Sequence, residues 1–384
     1  FFFFLARAAR PVLFGSFGAW LGSYRRGLSL LGVVCYQAIS SSRLLFAPLN
    51  AMAKALPTGK VRQAAEFRAI PKLWYMPFSL NSAKAAMCLR LSSVNEAAER
   101  VDLGVEGQYD FECAQLNPNM AVPFLEVEDK VITDSRLIAD HLFQKYPGAG
   151  DRKAISEGQK ESVIAFVDTI AEWDEAVWCF THIGEQASMA NIPRYMKLHQ
   201  QALLANQKGS ELPLVDGMSM EDVYLKKIAG LRYFESMLGS DPGAEDYQRN
   251  NEIVYEQIWA KANELLATRQ SQDFLFGAEL TTADALFVPF LYRIGFVAKV
   301  NLEENFQQYP RVRQYWQQVQ ATKEAKCVTA YGKQFVAKVM LQACLPCKIA
   351  SFKCGGRKYA ALPAEMNRKI EAFIDEKRKG HLSK

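Results

Sequence analysis

The first 65 of the 384 residues contain no aspartate or glutamate, while they carry eight basic residues, for a formal charge of +8. The stretch Glu66–Lys326 then carries −11, and Cys327–Lys384 returns to +8. An acidic body excludes nucleic-acid binding as the default reading, and the overall +5 is too mild to restore it. Basic ends suit an anionic membrane surface or an acidic partner. The eight cysteines are scattered and build no disulfide framework, which excludes a small secreted scaffold and points to a reducing compartment. Long uncharged runs are missing too. In the head they are Pro11–Tyr24, Gly27–Ser42 and Leu44–Ala53, divided by Arg25, Arg26 and Arg43, and none reaches the roughly 20 residues of a membrane-spanning helix. The four histidines, His141, His182, His199 and His381, form no cluster. The tail cysteines Cys327, Cys344, Cys347 and Cys354 lack the closed four-ligand spacing of a zinc site, so no metal is expected, and their CxxC pair follows a helical pattern and not a strand, unlike redox motifs.

What remains is ordinary globular composition, 49% hydrophobic and 23% charged, long enough for two or three domains. The acid-free head reads as an organelle transit peptide, a membrane anchor, or a segment packed on apolar subunits, with a buried soluble helix pair as the plainer alternative. From Lys72 the pattern becomes regular. Lys72–Met76 reads as a strand, and Ser79-Leu80-Asn81-Ser82 opens a helix. Glu99–Leu103 reads as a second strand, and a helical stretch after Gly107 breaks at Asn117-Pro118-Asn119. Val122–Val127 and Lys130–Ile132 read as a hairpin around Glu128-Asp129, and Asp134-Ser135 starts a helix that stops at Pro147-Gly148. The order is βαβαββα. Further on, Thr281 and Asp284 have capping-box spacing, as do Ser219 and Asp222.

The turn PFSLNSAK, the segment NPNMAVPFLEVEDKVITDS and the helix end IADHLFQKYPG, in this register, resemble the N-terminal domain of the glutathione transferase superfamily. Leu280–Asp284 and Tyr309–Trp316 resemble its buried helix and the helix after it. The resemblance implies a thioredoxin-like α/β domain over 70–148 and an all-helical domain over 149–330, with an insertion at about 183–249. An apolar, basic extension (1–69) and a basic helical tail (331–384) flank them. The insertion holds two expected helices, Asn191–Lys208 and Glu221–Leu238, and the tail one that starts at Pro363 with Met366, Ile370, Phe373 and Ile374 on one face. Insertion and ends most resemble the membrane-tethered ganglioside-induced differentiation-associated proteins and the plant tetrachlorohydroquinone dehalogenase-like transferases.

Glutathione conjugation needs a thiolate near neutral pH, and a free thiol has a pKa around 8.5. A hydroxyl at a helix N-terminus stabilises that anion by a hydrogen bond and by the local dipole. Ser79, five residues before Lys84, has the family's spacing for this role, with an ordinary helix cap as the alternative. No cysteine occupies the position, which favours thiolate activation over mixed-disulfide chemistry. By the resemblance, Pro123 is the cis-proline that leaves the Val122 backbone free for the peptide-like middle of glutathione, and Asp134 with Ser135 faces its γ-glutamyl end. Ala86 stands where the family often has arginine, and the sequence points to no partner for the glycine carboxylate. Two functions compete. One is a membrane-associated glutathione transferase-like protein that binds glutathione. The other is a non-catalytic subunit using this fold in an organelle membrane complex, mitochondrial ahead of plastid. The partners expected are glutathione, lipid or apolar subunits through residues 1–56, and a second copy or larger assembly, with no nucleic acid.

Overall fold

A computed structural model describes residues 61–77, 79–104, 106–175, 178, 186–237, 245–270, 273–296, 302–326, 328 and 362–382. The chain divides after Leu49 into two compact units, and all the described residues belong to the second. The apolar head and the tail cysteines Cys327, Cys344, Cys347 and Cys354 lie outside the described residues.

Three strands form one sheet: β1 (Val61–Tyr75), β2 (Glu99–Asp102) and β3 (Phe124–Thr133), in the order β2–β1–β3. β1 runs parallel to β2 and antiparallel to β3. β1 begins at Val61, well inside the stretch expected as an extension. Its first residues, Val61–Gln63, pair with Lys130–Ile132, while Lys72–Trp74 pair with Glu126–Phe124. The register shifts on both sides of Arg68, and Pro71 falls in that irregular part, where a missing N–H breaks no regular ladder. β3 is the segment read as a hairpin. It is one β-stretch that turns back at Glu128, whose φ is 55°. A straight strand of this length would run roughly 33 Å. Yet Phe124 pairs with Trp74, and Ser135, just past the far end, bonds Asn81, only a short turn beyond Trp74.

Around the sheet stand α1 (Leu80–Leu91), α2 (Phe111–Leu116) and α3 (Ser135–Lys145). The helical part holds α4 (Ala149–Ser156), α5 (Lys160–Glu172), α6 (Gln186–Lys208), α7 (Met220–Met237), α8 (Glu245–Glu252), a π-wound stretch Ile253–Trp259, α9 (Ala260–Ala267), α10 (Thr282–Phe296), α11 (Leu302–Gln308) and α12 (Pro310–Val319). α13 (Ala364–Leu382) closes the described chain.

One core joins the sheet unit to the helical part. Leu73, Met87, Leu89, Leu125 and Leu142 pack in the same buried cluster as Phe166, Trp259, Phe287, Phe290 and Tyr315. α10 is its hub, buried on nearly every side. Its start is fixed twice. Asp284, fully buried, accepts from Thr281 N (2.8 Å), Thr281 Oγ1 (2.8 Å), Leu275 N (3.2 Å) and Tyr315 OH (3.0 Å). The reciprocal half of the expected capping box is therefore present, but the Thr281 hydroxyl serves the carboxylate and not the backbone. Asp151 on α4 accepts from Thr282 N (2.8 Å) and Thr282 Oγ1 (2.9 Å). Gly150 permits this approach, since a Cβ there would lie 2.2 Å from the Leu280 carbonyl oxygen.

A second core is built by α6, α7 and α13. Leu198 and Ala202 of α6, Tyr224 and Ile228 of α7, and Met366, Ile370 and Ile374 of α13 pack together with Tyr109 and Met120 of the sheet unit. The apolar face of α13, expected from the spacing of Met366, Ile370 and Ile374, is thus spent inside the molecule. Among the described residues, no helix is long and apolar enough to cross a membrane.

Candidate functional site

The site forms where β1 ends, β3 begins and two helices start. Ser79 is the N-cap of α1: it has extended backbone angles, and its Oγ accepts from Ser82 N at 3.3 Å. No acceptor for its hydroxyl proton occurs among the described residues, and the residue is partly exposed. Ser82, read from sequence as a second cap, does something else. It is fully buried, and its Oγ accepts from Met76 N at 3.1 Å, tying α1 to the end of β1.

Asp134 is the N-cap of α3, accepting from Arg136 N (2.7 Å) and Leu137 N (3.4 Å) at φ 88°. Ser135 donates to Asn81 Oδ1 at 3.3 Å. This bond brings the first turns of α1 and α3 side by side, so both positive helix ends face one place. The Val122–Pro123 bond is cis. Val122 is partly exposed, and among the described residues its backbone N–H and C=O have no hydrogen-bond partner. All five residues singled out from sequence, Ser79, Val122, Pro123, Asp134 and Ser135, therefore gather at one end of the sheet.

Behind the starts of α1 and α3, charged groups of the helical part meet them, and sequence reading did not single these out. Lys84 on α1 is buried, and that burial pushes its ammonium below the usual lysine range, with the carboxylates of Glu175 and Asp134 opposing the shift. Arg293 of α10 pairs with Glu175 at 2.5 Å. Arg136 holds Asp140 and donates from Nε to Asp168 at 2.7 Å, which braces α3 on α5. Only the Ser79-to-Lys84 spacing hinted at the first of these; Glu175 and Arg293 are distant in sequence and carry no motif. Among the described residues no group of three or more histidine, cysteine or acidic side chains is placed to hold a metal ion. Cys88 and Cys113 are buried, and burial pushes both thiols up, away from reactivity.

Comparison with known families bears on the fold that carries this site. The glutathione S-transferase N-terminal domain matches residues 73–150, and the glutathione S-transferase C-terminal domain matches residues 224–322. Over these residues the chain belongs to the glutathione S-transferase superfamily. The N-terminal match runs from β1 to Gly150 and so contains Ser79, Lys84, Val122, Pro123, Asp134 and Ser135. Solved structures similar to the chain include Ure2p in complex with glutathione, at 17% identity over 68% of this chain and 96% of that one, TM-score 0.39. Others are the beta-etherase LigF from Sphingobium sp. strain SYK-6 (17%, 68% and 98%, TM-score 0.42) and glutathione transferase F2 from Populus trichocarpa (15%, 69% and 99%, TM-score 0.41). No curated protein matches the chain. The superfamily assignment rests on the two domain matches. The glutathione S-transferase C-terminal match starts inside α7.

Proposed function

We propose that this glutathione S-transferase-fold protein binds glutathione and activates its thiol through Ser79. The observation that carries the reading is the convergence of an open peptide edge at Val122 with two helix N-termini, at Ser79 and at Asp134–Ser135. An extended peptide pairs with such an edge through its own backbone. A carboxylate at its γ-glutamyl end meets the backbone N–H groups at the start of α3, and Asp134 faces the ammonium beside it. The thiol then falls at the start of α1. There the Ser79 proton, which has no acceptor of its own among the described residues, donates to the thiolate, and the helix dipole favours the negative charge.

The test is Ser79→Ala in a conjugation assay with a generic electrophile. Losing a hydrogen bond to a charged group, about 2 kcal/mol, lowers the rate roughly 30-fold. Helix α1 stays folded, because Ser82 and the Met76–Ser79 turn still fix its start. A rate unchanged by the substitution removes Ser79 from the chemistry.

A second reading is favoured by the acid-free head and the inserted helices. In it the same fold serves as a non-catalytic subunit in a membrane assembly of an organelle, the mitochondrion ahead of the plastid, with residues 1–56 against lipid or apolar subunits. The likeness to the membrane-tethered ganglioside-induced differentiation-associated proteins and the dehalogenase-like plant transferases belongs to this proposal. Isolation in mild detergent separates the two: a free dimer retained on glutathione resin supports the first, and a large stable complex that ignores the resin supports the second.

A further inference from the structure

The peptide edge at Val122 is presented by a segment that the sheet holds only lightly. Between Glu106 and Ala121, among the described residues, every backbone-to-backbone bond outside the helices stays within the segment, so no ladder ties it to a strand. α2, its one α-helix, has six residues, too few to be stable alone. Toward the sheet the segment buries Cys113, in a small cluster with Trp74, Phe124 and Val131. Its other buried apolar side chains, Tyr109, Ala114 and Met120, belong instead to the second core, with α6, α7 and α13.

Met120 carries the link to the site. It is 2% exposed, and its φ is 46°, a left-handed conformation that a residue with a side chain keeps only where its surroundings hold it. Val122 stands two residues further on. α7 grips the segment at both ends. Tyr224 OH donates to Tyr109 O at 2.8 Å, and its ring meets Phe111 edge-on, with centroids 5.6 Å apart. At the far end Lys227 Nζ donates to Asn119 O at 2.7 Å. From α6, Lys197 pairs with Asp110 at 2.9 Å. α13 completes the core in which Tyr224 is buried, through Met366, Ile370 and Ile374.

We infer that Tyr224 positions the peptide edge at Val122, acting through the segment Tyr109–Met120, and that the docking of α13 in the second core keeps Tyr224 in place. The effect on ligand rests on the glutathione reading; the grip on the segment does not. Opening of the segment uncovers Cys113 and dismantles the edge together, while Cys88, buried in the main core, stays covered.

The experiment follows maleimide labelling of the two thiols by mass spectrometry in the native full chain. Local opening exposes Cys113 alone, whereas global unfolding exposes both. Tyr224→Phe keeps the ring and removes the bond to Tyr109. It should speed Cys113 labelling about fivefold, the ~1 kcal/mol of one hydrogen bond, and leave Cys88 as it was. Ile370→Asp, which forces a charge into the second core and dislodges α13, should speed Cys113 further. S-methylglutathione, which has no thiol to consume the reagent, should slow Cys113 labelling in the wild type about tenfold at ten times its calorimetric Kd, because it binds only the closed segment. If Tyr224→Phe leaves Cys113 labelling unchanged, or speeds both cysteines equally, Tyr224 only stabilises the chain and the inference falls. Cys113 labelling unmoved by Ile370→Asp, or by Ile370→Ala should the first variant not fold, removes α13 from it. A ligand that binds in the calorimeter without slowing Cys113 labelling breaks the link between segment and edge. A ligand that does not bind at all sinks the glutathione reading itself, and the labelling of the variants still decides the grip of α7.

Discussion

Replacing Asp284 with alanine should destabilise this protein far more than removing its capping threonine. The carboxylate is completely buried and takes four donors: Leu275 N, Thr281 N, Thr281 Oγ1 and Tyr315 OH. Alanine leaves all four without an acceptor in a place that water does not reach. Each orphaned buried donor costs about 1–3 kcal/mol. Against this stands the relief of no longer burying a carboxylate, which is real here, since burial pushes Asp284 up to about 6. The balance is about 4 kcal/mol, or on the order of 12 °C in melting temperature for a unit of this size. Asp284→Asn should cost less: its oxygen serves two donors, the hydroxyl on its amide side can turn to accept, and one backbone N–H is left facing the amide hydrogens. Thr281→Ala removes one donor and orphans nothing, so it should cost about 1 kcal/mol. The assay is thermal unfolding followed by far-UV circular dichroism on the three variants. If Asp284→Ala melts within the shift produced by Thr281→Ala, the four-donor account of how α10 is fixed is wrong.

Two further outcomes follow from the sheet unit. His141 on α3 has its Nε2 buried without a partner, and burial pushes its imidazolium below the unfolded value of about 6.5. The native state therefore binds fewer protons than the unfolded one near that pH, and the contribution is present above pH 6.5 and lost as pH falls below it. His141→Phe, which keeps the edge contact with Tyr146, should lose less stability than wild type between pH 7 and pH 5; an identical loss removes His141 as the cause. Deleting residues 1–60 leaves β1 whole, whereas deleting 1–69 strips Val61–Gln63 from Lys130–Ile132 and the Arg68 guanidinium from Glu126 at 3.3 Å. The longer deletion should melt lower, by ~2 kcal/mol of lost cross-strand pairs, and equal melting would mean that the first half of β1 is not part of the fold.

The features legible in the sequence are those written into a few adjacent residues. Ser79 before α1, Asp134 before α3, Ser219 with Asp222 before α7 and Pro147-Gly148 after α3 all use side chains or backbone freedom within one turn of the feature they mark. The Asn117-Pro118 turn and the Val122–Pro123 bond belong to the same kind. What stayed hidden depends on partners far along the chain. Val61–Gln63 reads as Val-Arg-Gln, without the alternation of a regular strand, and is strand through pairing with Lys130–Ile132. Lys84 is marked only by its spacing from Ser79, and its enclosure beside Glu175 and Arg293 depends on residues far along the chain.

The inserted helices and α13 show the limit most clearly. An amphipathic stripe announces that a face will be buried and says nothing of what will cover it. Met366, Ile370 and Ile374 at helical spacing fit a membrane surface, a partner groove or an internal seam equally well. The polar residues between them decide the matter, and only once the partner is known. Lys369 donates to Glu221 at 2.8 Å and to Asp222 at 3.1 Å, the two acids in the first turn of α7. Those acids already favour the positive end of α7, and Lys369 neutralises the excess they leave. The tail helix is thereby keyed to the start of α7, and α7 to Tyr109 and Asn119 of the sheet unit. A basic tail that seemed free to seek an acidic surface has found one, over α13, in its own chain.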